Sequence, residues 1–308
     1  MRIGVPLQDP SGPDPMTGLR EQVQRAADDG FASAWLSNIF GLDALTALAV
    51  AGNQVGGIEL GTAVVPTYPR HPAALAQQAL TAAAACGGGR LVLGIGVSHK
   101  IVIEDMYGYD FGQPVRHMRE YLAVLLPLLE RRQASFTGAT VRANIGLTVP
   151  GEGRVPVMLA ALGTQMLRLA GQQTDGTILW MTGPATVRDH VVPVITEAAA
   201  AAGRPAPRVV CMLPVCVTSD PDAARQRAAR LFAVYGQLPS YRAMLDREGA
   251  AGPGDVAIVG DEDAVGAQIS ALAEAGVTDF VAGGYGNGEE VTRTHAFLRS
   301  LLPEPGLS

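Results

Sequence analysis

Short apolar runs alternate with amphipathic stretches along the whole chain, and the alternation reads as strand followed by helix. Ile3 to Leu7 is the first run, followed by turn chemistry at Asp9-Pro10-Ser11-Gly12-Pro13-Asp14-Pro15. A helix is expected from about Met16 to Asp29, apolar at Leu19, Val23 and Ala26-Ala27, and Gly30 stops it where a positive φ is cheap. Ala32 to Ser37, Ile58 to Val65 and Arg90 to Val97 are the next strands. Between them lie a helix from Asp43 to Gly52, capped by Asp43, and the alanine-rich helix Pro72 to Cys86, halted by Gly87-Gly88-Gly89.

The rhythm returns in the second half. Val115 to Arg131 is amphipathic, with Tyr121, Leu122, Leu125 and Leu128-Leu129 on one stripe. Strands are expected at Val155 to Leu162, Thr177 to Met181, Arg208 to Val217 and Thr278 to Ala282. Helices are expected at Thr164 to Gln172, Thr186 to Ala202, Pro221 to Tyr235, Glu262 to Ala275 and Glu289 to Leu302. The strands are continuous apolar runs, as a parallel sheet buried on both faces requires. An eightfold β/α repeat in one chain of this length closes most naturally as a (β/α)8 TIM barrel, in the α/β class; a doubly wound open sheet is the alternative. Two stretches break the rhythm: 134–154, which reads as a hairpin or excursion, and 236–254, which carries a short helix from Ser240 to Glu248. Both are read as insertions into a single domain spanning 1–308.

Composition narrows the function. Of 308 residues, 48% are apolar and only 17% charged, with 23 basic against 29 acidic side chains and no Lys/Arg cluster. A nucleic-acid or anionic-membrane partner is therefore not expected. The apolar stretches fall short of the roughly 18 residues that a membrane span needs. The N-terminus runs straight into a strand without a signal core, so a cytoplasmic location is expected. Cys86, Cys211 and Cys216 are scattered and odd in number, which fits buried thiols better than disulfides, and no ligand spacing points to a metal.

Barrel chemistry sits at the C-terminal ends of the strands. There the sequence offers Asn38, Tyr68, Ser98-His99, Gly163-Thr164-Gln165 and Trp180: neutral donors, glycines and aromatics. No carboxylate pair stands among them, which argues against glycosidase-type chemistry, and Gly96-Val97-Ser98 lacks the closing glycine of a nucleophile elbow. An enzyme with so few acids and bases leaves its hard chemistry to an organic cofactor. Gly94-Ile95-Gly96 resembles the start of a dinucleotide fingerprint, but the third glycine is missing; the pair reads as backbone lying close under a flat ring. Thr164 either caps its helix or helps open a phosphate seat at the helix N-terminus.

Gly61-Thr62-Ala63-Val64-Val65-Pro66-Thr67-Tyr68-Pro69-Arg70-His71-Pro72 resembles the third-strand signature of the luciferase-like monooxygenase superfamily. Gly88-Gly89-Arg90-Leu91-Val92-Leu93-Gly94-Ile95-Gly96 resembles its fourth-strand signature, and Asp175-Gly176-Thr177 is a third match. Within the superfamily, Arg70-His71-Pro72, Ser98-His99 and Val115 to Tyr121 look most like the actinobacterial deazaflavin (coenzyme F420)-dependent oxidoreductases. The resemblance implies a luciferase-like barrel with inserted segments and a non-prolyl cis peptide at Ala63-Val64, whose backbone would lie behind the cofactor ring. It implies Val97, Ser98 and His99 at the ring edge, and a phosphate seat at Gly163, Thr164 and Gln165.

One departure matters. Sugar-phosphate dehydrogenases of this family carry an Asp-His pair after the second strand, where this chain has Asn38-Ile39, and the family's ring-edge acid is replaced by His99. An amide and an imidazole suit reduction of an activated C=C or C=N bond, with Asn38 and His99 as the catalytic candidates. Tyr68, Tyr107 and Trp180 are expected to wall the pocket, His71 to be structural, and His117 to lie on a solvated face. A small-molecule substrate is expected; the resemblance implies a homodimer, for which the helices Asp43 to Gly52 and Pro72 to Cys86 are the candidate interface. Two further readings keep the fold: an FMN-dependent monooxygenase using O2, and a non-catalytic flavin- or lipid-binding barrel.

Overall fold

The computed structural model describes residues 1–151 and 153–303. Its strands are β1 (Arg2–Leu7), β2 (Ser33–Leu36), β3 (Glu59–Thr62) with the continuation β4 (Val65–Pro66), β5 (Leu91–Gly96), β6 (Gln133–Thr137), β7 (Arg142–Gly146), β8 (Val157–Ala160), β9 (Gly176–Trp180), β10 (Arg208–Val217), β11 (Ile258–Gly260) and β12 (Asp279–Gly284). Pairing runs in parallel through β1-β2-β3-β5-β8-β9-β10-β12, and β12 returns to β1 with Arg2 opposite Asp279 and Gly4 opposite Val281. The ring is closed, so the barrel reading holds over the open sheet. β11 adds beside the far end of β10, and β6 and β7 form a separate antiparallel hairpin within the expected excursion.

Helices follow the strands: α1 (Pro15–Asp28), α2 (Ala44–Gln54), α3 (Pro72–Cys86), α4 (Pro114–Arg131), α5 (Thr164–Gln173), α6 (Pro184–Thr186), α7 (Val192–Ala201), α8 (Pro221–Leu231), α9 (Pro239–Glu248), α10 (Glu262–Glu274) and α11 (Gly288–Ser300). The cap expected at Asp43 is made, and Asp220 and Asp261 act in the same way: each accepts an N–H of the first turn at 2.9–3.1 Å. The single helix expected from Thr186 to Ala202 is instead two, joined by a wide turn at Val187–Val191 in which the Val192 N–H bonds the Val187 carbonyl. Pro193 has no N–H to continue the ordinary ladder, and the extra residue in the turn absorbs that defect. A second wide turn, Ile101–Met106, follows β5 where no helix was expected.

Two apolar layers result. Between strands and helices lie the leucine- and alanine-rich contacts, with Leu45, Leu48, Leu75 and Leu80 among those sealing α2 and α3 to the sheet. Inside the ring, Trp35, Val92, Met158, Ile178, Val210, Met212 and Val281 fill the barrel. The N-terminal end of the barrel is closed by charge: the Arg208 guanidinium bonds Asp279 at 2.7 Å and Glu59 at 2.8 Å, tying β10, β12 and β3 together. Among the described residues no helix is long and apolar enough to cross a membrane. All three cysteines are buried free thiols.

Candidate active site

At the other end of the barrel the third strand is interrupted between β3 and β4. The peptide joining Ala63 to Val64 is cis, as the resemblance implies. Both side chains are half-buried and rest on the cluster that fills the barrel, as does Trp180. Together they form an apolar floor open to the mouth. The bulge is clamped from β5: the Thr62 hydroxyl donates to the Gly94 carbonyl at 2.8 Å and accepts the Gly94 N–H at 2.9 Å. A Cβ on Gly94 would stand 1.9 Å from the Thr62 carbonyl oxygen, and one on Gly96 would stand 2.8 Å from Val64 Cγ2. These glycines therefore make room for the neighbouring strand, which corrects the reading that they lie directly under a ligand.

Beyond β5 the chain passes Val97, half-buried against the core, to Ser98, a non-glycine residue at φ 60°. That left-handed turn costs a residue with a Cβ about 1–2 kcal/mol and swings His99 across the mouth. The His99 carbonyl then accepts the N–H groups of Val102 and Ile103, starting the wide turn. Its ring lies 5.4 Å from that of Tyr241 on α9. Burial pushes the imidazole below its usual range, so it is neutral at pH 7 and offers one N–H donor and one acceptor.

Helix α5 begins at the end of β8. Gly163 is its cap residue and no side chain caps it; Thr164 is the first helical residue, so the capping reading of Thr164 is set aside. The first intrahelical bond is from the Leu167 N–H to the Gly163 carbonyl, which leaves the N–H groups of Thr164, Gln165 and Met166 outside the helix ladder. Gly163 and Gln165 are exposed and nothing lies within 4 Å of a Cβ built on Gly163. The Asn38 side-chain oxygen accepts the Ala44 N–H at 3.0 Å and so helps start α2; only its amide NH2 remains for a ligand.

The three aromatics expected to wall one pocket are not brought together. Tyr107 is 41% exposed, on the loop after the wide turn, tilted against Tyr109. Tyr68 stacks on His117 with ring centroids 3.9 Å apart and on Phe111 at 5.6 Å. It borders a separate recess of about 330 Å3 with Arg116, Gln113, Asp110 and Thr140. Trp180 alone lies with the floor. The partners of Trp180 come from the segment after β10: Phe232 and Tyr235 meet its ring edge-on, each at 5.7 Å, and Tyr241 follows at 5.3 Å from Tyr235. The sequence signal for them was three aromatic residues within ten positions, running into the second insertion, in a chain that is only 5% aromatic.

Other histidines are structural. His117 is buried rather than solvated; its Nε2 lies 3.0 Å from the Thr67 hydroxyl, and burial lowers its pKa to about 4. His71 caps α3 through Nδ1 and reaches the Arg142 carbonyl with Nε2 at 3.1 Å. His190 Nε2 is 2.8 Å from the Leu162 carbonyl, a partner not foreseen from sequence. Near the mouth Arg70 bonds Asp43 through Nη2, its Nη1 being buried without a partner, and Lys100 lies 3.5 Å from Glu104. Among the described residues no cluster of three His, Cys, Asp or Glu is arranged to hold a metal.

This donor set fits a flat, phosphorylated ring cofactor. The floor at Ala63-Val64 is apolar and open, Trp180 Nε1 is a buried donor with no hydrogen-bond partner, and an uncapped helix N-terminus offers N–H groups to a phosphate.

Residues 1–279 match the family model of luciferase-like monooxygenases. Over 303 residues the chain is 27% identical to the 5,10-methylenetetrahydromethanopterin reductase of Methanolobus tindarius, covering 88% of this chain and 91% of that protein. The structure superposes on the coenzyme F420-dependent tetrahydromethanopterin reductase of Methanopyrus kandleri with a TM-score of 0.82 at 22% identity, covering 98% of this chain and 99% of that one. An F420-dependent secondary alcohol dehydrogenase, solved with an F420-acetone adduct, gives a TM-score of 0.79 at 20% identity, with 98% of each chain covered. The two structural likenesses are likenesses of fold.

Proposed function

The chain belongs to the luciferase-like monooxygenase family, and from that premise we infer that it is an F420-dependent oxidoreductase reducing an activated C=C or C=N bond of a small organic substrate. The observation that carries this reading is the mouth itself, where an apolar floor at Ala63-Val64 and an uncapped α5 N-terminus flank one neutral imidazole, His99. The reductase named for Methanolobus tindarius, similar along 88% of this chain, supports the choice of a deazaflavin.

When bound, the reduced deazaflavin supplies a hydride. Ala63 and Val64 would back its ring, Val97 and Ser98 would border the ring edge, and the N–H groups of Gly163, Thr164 and Gln165 would hold its phosphate. Trp180 and the aromatics packed on it keep water from the ring face. His99 stands where a proton has to arrive; neutral at pH 7, it relays one, taking a solvent proton on its free ring nitrogen as its N–H proton passes to the substrate. Asn38, its oxygen held by α2, presents its amide NH2 to a carbonyl. The weakly charged outer face of α2 and α3, with Val50 41% exposed, supports a homodimer built through those helices.

The test is a binding titration with reduced and oxidised F420, FMN and NADPH. Deazaflavin binding tighter than about 10 μM is expected. Tight FMN binding without it, together with O2 uptake, would move the chain to the monooxygenase branch. A His99→Ala protein that loses turnover but still binds the deazaflavin is expected; unchanged turnover would leave a non-catalytic barrel.

A further inference from the structure

Six rings run unbroken across the mouth. His99, at the end of β5, lies 5.4 Å from Tyr241; Tyr241 lies 5.3 Å from Tyr235; Tyr235 and Phe232 each meet Trp180 at 5.7 Å; and Phe232 reaches Tyr285, beyond β12, at 6.1 Å. The insertion after β10 is thus fastened across the barrel by aromatic edges, and at its far end by Glu248, which accepts the N–H groups of Ala185 and Thr186 at 3.1 and 2.7 Å. Centroid separations of 4.5–7 Å with steep interplanar angles are the favourable edge-to-face arrangement.

The tyrosines differ in what their hydroxyls do. Tyr285 donates to the Ala224 carbonyl at 3.0 Å, and Tyr121 donates to the Arg70 carbonyl at 2.9 Å. Among the described residues the Tyr241 hydroxyl has no such partner, although burial makes its phenol harder to ionise. A phenol that stays protonated, sits beside His99 and is not spent on the fold is a hydrogen-bond donor kept for something else. The surroundings say what. The segments after β2, β5 and β10 expose the apolar side chains Ile39, Phe40, Ile101, Met106, Leu231 and Val234. Of the cations there, Lys100 lies 3.5 Å from Glu104, and Arg70 bonds Asp43 through Nη2 while its Nη1 is buried without a partner.

We propose that Tyr241 is the substrate-recognition residue of the mouth, and that the substrate is a flat, uncharged, conjugated ketone or imine whose heteroatom accepts the Tyr241 hydroxyl while its unsaturated face lies along the Tyr235–Trp180 wall. The proposal rests on the mouth being the active site and adds the substrate class and the residue that reads it. In a conjugated ketone, hydride from the reduced deazaflavin forms the new C–H bond at the β-carbon. The C=C pair shifts toward the carbonyl, charge builds on the oxygen that Tyr241 bonds, and a solvent proton delivered through His99 forms the second C–H bond at the α-carbon. Two electrons and two hydrogens are added, and the deazaflavin is oxidised. An anionic analogue of the same shape would bring a carboxylate against a wall made of rings, none of them cationic.

The probes are trans-4-phenyl-3-buten-2-one and trans-cinnamate, alike in shape but neutral and anionic. Binding of each is read by calorimetry on the protein alone, and deazaflavin binding is titrated separately. The ketone is expected to bind at least tenfold more tightly than cinnamate. Tyr241→Phe is expected to cost about tenfold in ketone turnover through kcat, and Tyr241→Ala about tenfold in ketone binding, with deazaflavin affinity unchanged in both. Equal binding of ketone and cinnamate, or ketone binding and turnover untouched in both variants, overturns the proposal. If the unaltered protein fails to bind the deazaflavin, the cofactor reading falls, while the calorimetry still decides for or against Tyr241.

Discussion

His117 and Glu120 lie one turn apart on α4 and both lose stability in acid, in different pH windows. His117 titrates in the unfolded chain near its ordinary 6.5 but in the fold only near about 4, because burial disfavours its charged form. Its contribution to stability is complete above pH 6.5 and is lost as pH falls from 6.5 to about 4. Glu120 is also disfavoured by burial, but the Thr140 N–H at 2.6 Å, the Thr140 hydroxyl at 2.8 Å and Arg116 hold its carboxyl at about 2. Its contribution is complete above 4.5 and is lost between 4.5 and about 2. Urea unfolding at stepped pH is expected to show both windows. His117→Gln should flatten the upper one; Glu120→Gln should flatten the lower one and cost about 1–3 kcal/mol at pH 7. The glycines offer a second contrast. Gly94→Ala places a Cβ against backbone and is expected to cost about 3 kcal/mol or more, whereas Gly163→Ala, in open space, should cost less than about 1 kcal/mol; thermal melts distinguish them.

Elements were legible where burial on both faces leaves a simple trace. The eight barrel strands stand out as continuous apolar runs, and aspartates mark the starts of α2, α8 and α10 because a short carboxylate beside three free N–H groups is a strong local signal. The wide turns at Ile101–Met106 and Val187–Val191 were not legible, since they differ from ordinary helix by one extra residue per turn and not by polarity. The pocket wall was misread for a related reason: Tyr68 and Tyr107 are adjacent to strand ends in sequence, but the rings that pack on Trp180 arrive from α9 and the turn before it, across the barrel. His117 falls on a helix stripe between charged neighbours, and only the Tyr68 loop folding over it makes that stripe internal. The ionic closure under β3, β10 and β12 is a further element-level device. Arg208→Met would leave Asp279, 2% exposed, with Arg2 at 3.4 Å as its remaining cation. A loss of about 3–5 kcal/mol is expected in denaturant unfolding, with deazaflavin affinity unchanged because the mouth lies at the opposite end.

At the scale of the molecule, sparse surface charge is concentrated away from α2 and α3, whose outward residues include Thr46, Val50, Asn53, Gln77, Thr81 and Ala84. A species of twice the 32.0 kDa chain mass is expected in sedimentation equilibrium, and Val50→Asp with Ala84→Asp should halve it; a monomer in the unaltered protein would rule that assembly out. The split between floor and wall has a separate consequence for change over time. Gly94 and Gly96 answer to the neighbouring strand, so the floor tolerates almost no variation whatever the ligand. The aromatic wall hangs from one excursion after β10, joined to the barrel by ring contacts and by Glu248, which accepts the N–H groups of Ala185 and Thr186. Exchanging that excursion between relatives would transplant a preference for substrates while leaving the redox platform intact, making residues 232–248 the natural unit of divergence and the first target for a combinatorial library.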